Sequence, residues 1–514
     1  MKGKGERLKD QGGRMNIRNT LSIIIFLFLF ISAQPVLSQD PSPQIKVGKG
    51  SPQFRAIAGV SMGGYGAMNI GLSHPGTFAT LACLGGPLDM AYLLKFIEVD
   101  MIGNYDAGLS YPNRDTGIDM LQDLSISFGN PVYYNPQSTY YPPGVTGENA
   151  RKSTRLLNVR DGEHNPDGSL PVITYGDPYP TDWVEVLLAV DLNGNGKRDP
   201  GEPVVRQFHE PFLDLNRNGI YDPDESFFDV GLDGVSGTGD LGEGNGNYSF
   251  NPNHLNYFAQ DPLTLVKRID LSVLQGINLY LDAGTEDEFQ FDIHTDNFAD
   301  AIENRRLPVR KEWGFPESFP RISHFDEKRV YVKYEGGHVG FDKENIGLSF
   351  NRAKKGVQGA ILVANRFSTL FAFVSDHFPG GAYGTDPYEM LRHPSKMGVT
   401  SFNSPSLKRR MKFGIYLPPG YKASASRFYP VLYLLGGYNM SIAGLANRYI
   451  QAALDTLILN QQIQKMVIVI PDGLNDKNGR GHFYVNQIDK ERGDNYRDYL
   501  FDLIDYIDQH LQTK

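Results

Sequence analysis

The 514-residue chain is 40% hydrophobic and 12% aromatic, which excludes wholesale disorder, and it shows no collagen or coiled-coil period. Fifty Lys and Arg against 59 Asp and Glu give a net charge of −9, which argues against nucleic-acid binding through bulk basicity. Residues 191–243 alone hold 12 acidic and 4 basic side chains, so one window carries −8 of that imbalance.

Near the N-terminus, Met15-Asn16-Ile17-Arg18 supplies a short basic start before an apolar run from Leu21 to Ile31. Val36-Leu37-Ser38 then fits a small-residue cleavage site, so 1–38 reads as a signal peptide, with Met15 as an alternative start. The run is about a dozen residues, short of the roughly 20 that span a bilayer. The expectation is export, to the periplasm or medium, with no stable membrane span after cleavage. Cys83 is the sole cysteine, so no intrachain disulfide can form.

Phe54 to Val60 reads as a short buried strand, and a helical stretch follows Ser61 until His74-Pro75. Gly59-Val60-Ser61-Met62-Gly63 is therefore a G-x-S-x-G between strand and helix. A sharp strand-to-helix turn holds its serine at strained dihedrals, and glycine two residues either side lets the chain pass closely. Ser61 is the candidate nucleophile. The Met62 N–H, at the start of the helix, is a candidate oxyanion donor.

More than 200 residues separate this turn from Asp287, so an insertion is expected over about 102–262, with irregular Gly-, Asn- and Pro-rich pieces. Inside it, residues 191–202 and 214–225 each match D-x-[DN]-x-[DN]-G-x5-E. Calcium, a hard cation taking six to eight oxygens, suits this donor set. In the first loop the expected ligands are Asp191, Asn193, Asn195, the Lys197 carbonyl, Asp199 and Glu202. In the second they are Asp214, Asn216, Asn218, the Ile220 carbonyl, Asp222 and Glu225. A third stretch, Asp229 to Asp240, is degenerate. Trp183 to Val190 looks like a strand, and Pro200 and Pro223 oppose exiting helices, so the loops differ from helix-flanked EF-hands and dockerins. Two structural Ca2+ ions are expected.

Ile277 to Leu281 has a strand pattern that ends in Asp282-Ala283-Gly284-Thr285-Glu286-Asp287. Arg329 to Tyr334 alternates like a strand and ends in Glu335-Gly336-Gly337-His338. A nucleophilic serine needs a base and a group that orients it, in the hydrolase order Ser, Asp/Glu, His. His338 is the candidate base and Asp287 the candidate acid, with Asp282 and Glu286 as close rivals. Residues 346–400 read as a linker, apolar enough to pack over Ile361 to Ala372 and otherwise loop-like. Farther on, Phe413 to Leu417, Tyr429 to Leu435 and Met466 to Ile470 read as strands, and Leu500, Leu503, Ile504, Ile507 and Leu511 form a helical stripe.

These stretches resemble the esterase D / putative esterase group of α/β-hydrolases, which includes feruloyl, acetylxylan and enterochelin-type esterases, S-formylglutathione hydrolase and mycolyltransferases. The matching pieces are Ala56 to Ala67, Gly284-Thr285-Glu286-Asp287, Gly337-His338, and the strands of 401–514. The resemblance implies Ser61 as nucleophile, Asp287 as acid and His338 as base. It also implies Tyr438 as carrier of the second oxyanion N–H, although the chain has Gly436-Gly437 where the family usually has His-Gly. The order departs from the family. The part that normally precedes the nucleophile follows the histidine here. A circular permutation making 51–345 and 401–514 one domain is the favoured reading, against two truncated tandem copies or an artefact of gene assembly.

The expected fold is therefore an α/β-hydrolase doubly wound, mostly parallel sheet, permuted, with an irregular calcium-loop insertion. The expected activity is hydrolysis of a small-molecule or carbohydrate-linked carboxylic ester by a Ser-Asp-His triad that needs no cofactor. The competing expectation is a non-catalytic, calcium-stabilised binding or docking protein built on a hydrolase remnant. Neither oligomeric state nor the particular ester is legible.

Overall fold

The computed structural model describes residues 50–97, 114–129, 155–158, 188–191, 204–205, 210, 212–213, 215, 221–231, 242–250, 254–315, 324–338, 352–421 and 428–514. The expected signal peptide, 1–38, lies outside them. In chain order the strands are β1 (Arg55–Val60), β2 (Thr80–Leu84), β3 (Arg155–Asn158), β4 (Leu188–Asp191), β5 (Val204–Val205) and β6 (Asn278–Gly284). They continue with β7 (Arg310–Trp313), β8 (Arg329–Tyr334), β9 (Lys396–Ser404), β10 (Arg409–Leu417), β11 (Val431–Leu435) and β12 (Val467–Pro471). The principal helices are α1 (Met62–Ser73), α2 (Arg114–Phe128), α3 (Phe291–Asn304), α4 (Arg352–Asp376), α5 (Arg448–Leu459) and α6 (Tyr496–His510).

Among the described residues, nine strands form one sheet in the order β7-β8-β6-β2-β1-β11-β12-β10-β9. Pairing is parallel from β7 to β12 and antiparallel at β12–β10 and β10–β9. β1, β2, β11 and β12 are buried along their whole lengths, as parallel strands covered on both faces must be, and this explains their near-continuous apolar runs, interrupted only at Arg55 and Thr80. Residues of β1 alternate between two cores. Ile57 packs on the side of α1, α2, α3 and α6, whereas Ala56, Ala58 and Val60 face the side of α4 and α5. The edge strand β7 is mostly exposed and reads Arg-Lys-Glu-Trp, charges that discourage further pairing. This mixed α/β sheet fits an α/β-hydrolase-like fold.

The two ends of the described chain meet in the centre of the sheet. β1 pairs with β11 from Arg55–Val431 to Gly59–Leu435 and on its other side with β2. The Ser51 N–H donates to the Lys514 carbonyl oxygen (3.1 Å), and Arg55 forms a buried ion pair with Asp508 of α6. The stretch 346–400, expected to be a linker, carries the 25-residue helix α4, whose Leu370 to Val374 are fully buried, and the start of β9. Within the insertion, β3, β4 and β5 form a small antiparallel sheet, and β4 covers Leu188–Asp191, the end of the expected 183–190 strand. No helix among the described residues is long and apolar enough to cross a membrane.

Candidate active site

Ser61 is the junction between β1 and α1. Its backbone has φ 56° and ψ −124°, a conformation that costs an L-residue about 1–3 kcal/mol. Two hydrogen bonds fix the turn: the Ser61 N–H donates to the Leu84 carbonyl (3.0 Å) and the Tyr65 N–H to the Ser61 carbonyl (3.1 Å). A Cβ on Gly59 would lie 2.1 Å from the Gly63 carbonyl, and one on Gly63 would lie 2.3 Å from the Leu435 oxygen. Both glycines are thus required by close approach, the second of them to a strand from the other end of the chain.

The loop after β11 comes directly to the serine. A Cβ on Gly437 would lie 3.2 Å from Ser61 Cβ, so Gly436-Gly437-Tyr438 runs beside the candidate nucleophile, and Met62, the residue after it, opens α1. The loop is held at two points. Tyr484 Oη donates to the Gly436 carbonyl (3.1 Å), and the Tyr438 hydroxyl bonds the buried carboxylate of Asp123 in α2. Asp123 in turn takes a bidentate contact from Arg480, at 2.7 and 2.9 Å, and one from Asn478 at 3.0 Å. Burial raises the Asp123 carboxyl, with Arg480 opposing that shift.

The loops after β6 and β8 cross one another. A Cβ on Gly284 would lie 2.1 Å from the Gly336 oxygen, and the Thr285 and Glu286 N–H groups donate to the Tyr334 and Gly336 carbonyls. The crossing brings His338 Nδ1 to 2.9 Å from Asp287 Oδ2, with both residues buried. A carboxylate can only accept, so Nδ1 carries the proton and Nε2 is left as the basic nitrogen. The Phe289 N–H donates to the other Asp287 oxygen (2.8 Å), and the rings of Phe289 and Phe291 meet the imidazole edge-to-face, each 5.1 Å away. Burial disfavours imidazolium, but the Asp287 charge and hydrogen bond, with Glu288, outweigh it and hold His338 above the usual histidine range. Gly85 joins the two halves of the site. It follows Leu84, the acceptor of the Ser61 N–H, and a Cβ on it would sit 3.6 Å from His338 Nδ1.

The rivals of Asp287 are occupied differently. Asp282, fully buried in β6, takes two bonds from Arg366 of α4, at 2.6 and 3.2 Å; burial raises its carboxyl against that cation. Glu286 is half-buried and contributes its main-chain N–H to the loop crossing. Arg366 and Glu288 had not stood out in the sequence, although an arginine inside the apolar run Ile361 to Ala372 is a signal of a buried partner. Cys83 is free and lies buried beneath the turn; burial pushes its thiol up, away from reactivity.

Of the first expected calcium loop, Asp191 closes β4, and Asn193, Asn195, Lys197, Asp199 and Glu202 lie outside the described residues. Asp214, Asn216, Asn218 and Ile220 of the second also lie outside them. Glu225 is buried, and its two carboxylate oxygens accept from the N–H groups of Leu215 (2.8 Å) and Asp222 (3.0 Å), which draws the loop around its last residue.

Residues 43–141 and 404–514 match the putative esterase family. The match takes in the Ser61 turn, α1 and the strands that flank it, and leaves out Asp287, His338 and Arg366. No curated protein matches the chain. Among solved structures, a ferulic acid esterase aligns over 23% of this chain and 45% of its own, at 22% identity and a TM-score of 0.21. An S-formylglutathione hydrolase from Agrobacterium tumefaciens aligns over 23% and 46%, at 25% identity and a TM-score of 0.18. The chain thus spans less than half the length of these two. A PHB depolymerase complexed with R3HB trimer aligns over 91% of this chain and 98% of its own, at 11% identity and a TM-score of 0.34.

Proposed function

We propose that the protein is a serine carboxylic-ester hydrolase working through an acyl-enzyme. Ser61 Oγ attacks the acyl carbon while His338 Nε2 takes its proton, and the N–H groups of Met62 and Tyr438 receive the developing oxyanion. Collapse of the tetrahedral adduct breaks the ester C–O bond, and His338 returns the proton to the departing alcohol. Water, deprotonated by His338, then cleaves the acyl-serine to free acid and restores Ser61. Asp287 keeps the imidazole in the Nδ1–H tautomer throughout. The observation that carries this reading is the strained Ser61, with Gly437 against its Cβ, and the Asp287–His338 pair on the loops after β6 and β8, reached across β2 of the same sheet.

The two family-like segments are read as one esterase domain in circularly permuted order. Supporting this are the parallel pairing of β1 with β11 and the nearness of Ser51 to Lys514. The chain is taken to be exported through the 1–38 leader and to act outside the cytoplasm on a small-molecule or carbohydrate-linked ester. Two Ca2+ ions, at 191–202 and 214–225, would stiffen the insertion that carries them.

A fluorophosphonate probe tests the nucleophile. It should attach to Ser61 in the wild type, located by peptide mass spectrometry, and fail to attach in His338→Gln. Attachment at another serine would reject the assignment.

A further inference from the structure

His338 is gripped by its main chain as well as by its ring. Its N–H donates to Glu288 Oε2 (3.0 Å), and its carbonyl oxygen accepts from Arg366 Nη1 (3.1 Å). Resting on the triad reading above, we infer that Glu288 and Arg366 are positioning residues for the base, clamping the His338 peptide from two different elements. Neither is matched by the family model, and Arg366 comes from α4, in the stretch between the two family-like segments.

All three guanidinium nitrogens of Arg366 are engaged. Nε and Nη2 reach Asp282, Nη1 reaches His338, and its face lies over the Tyr334 ring with 4.9 Å to the centroid. A planar fork can serve both partners at once, whereas a lysine ammonium would have to choose. Asp282 is in β6, so the sheet itself anchors the cation and, through it, the carbonyl of the base. Buried ion pairs are poor devices for stability alone, because desolvation offsets their attraction. A role in fixing the base accounts for this one. Glu288 does the complementary work from the residue next to Asp287, so one short turn orients the imidazole through Asp287 and its backbone through Glu288. Among the described residues, the charged groups facing His338 are Asp287 and Glu288 after β6, Asp282 within it and Arg366 from α4.

Kinetics and a titration test the clamp on the full-length chain. Glu288→Ala and Arg366→Lys should each lower kcat by about tenfold with KM within about twofold, because a misplaced base slows chemistry rather than binding. Glu288→Gln keeps an acceptor for the N–H, so it should recover most of kcat while moving the acid limb of the pH profile to lower pH. Wild-type kcat and pH profiles in Glu288→Ala and Arg366→Lys, with only the melting temperature changed, would overturn the inference. A readout independent of esterase activity is the NMR titration of the His338 imidazole in Ser61→Ala, its signal identified by loss in His338→Gln. Adding Glu288→Gln should lower that midpoint whether or not any ester is hydrolysed, and an unmoved midpoint would count against the clamp.

Discussion

Gly63 of α1 lies so close to Leu435 of β11 that a methyl group on the glycine would fall 2.3 Å from the leucine carbonyl oxygen. The turn that presents Ser61 is therefore shaped by the far end of the chain as well as by its own sequence. The obstacle is backbone, which cannot rotate away. Gly63→Ala should cost about 2 kcal/mol or more and should abolish ester hydrolysis. Denaturant unfolding and an ester assay on the same preparation check both effects.

The environment of His338 sets the pH response. Its pKa is raised in the folded protein, since the Asp287 charge and hydrogen bond, with Glu288, outweigh burial. As the proposed base, His338 must be neutral to work, so kcat/KM should climb with pH through a midpoint above the ordinary histidine value of about 6.5. The linked stability has the opposite sense. It is complete below the unfolded histidine pKa and is lost as pH rises through the folded one. A kinetic midpoint below the ordinary value would show that another group titrates.

Tyr484 is tied to the candidate oxyanion loop through its hydroxyl on the Gly436 carbonyl. Tyr484→Phe removes that bond inside the core and should cost about 1 kcal/mol of stability. It should also lower kcat several-fold with little change in KM, because on the proposed mechanism the Tyr438 N–H is needed only when negative charge develops on the substrate. Paired kcat and KM measurements separate this from a binding defect.

Calcium is expected to act at a distance from the chemistry. Chelation with EDTA should lower the melting temperature, and added Ca2+ should restore it. A site held at a hundred times its dissociation constant contributes about 2.7 kcal/mol. Asp191→Ala together with Asp214→Ala should remove the response. Unchanged melting temperature and activity in EDTA would show that the insertion does not depend on the ion.

Much of the sheet was legible in the sequence because strands such as Val431 to Leu435 and Met466 to Ile470 are continuous apolar runs ended by Gly or Pro, although the central strand Thr80 to Leu84 was not read. β7 was not, since a four-residue exposed edge strand of Arg-Lys-Glu-Trp carries no hydrophobic period. The role of 346–400 was hidden for another reason. Arg366 acts through Asp282 and the His338 carbonyl, contacts that only the tertiary fold brings about. The same holds for the choice among acids. Asp282, Glu286 and Asp287 lie close together in sequence, and what distinguishes them is that Asp287 lies 2.9 Å from the imidazole while Asp282, inside β6, is taken by an arginine.

The most direct test is hydrolysis of p-nitrophenyl acetate by the wild type and by Ser61→Ala under identical conditions. Turnover by the wild type, with kcat lower by about 10^4-fold or more in the variant, is the predicted result. Equal rates in the two proteins would contradict the assignment of Ser61 as the nucleophile of an ester hydrolase.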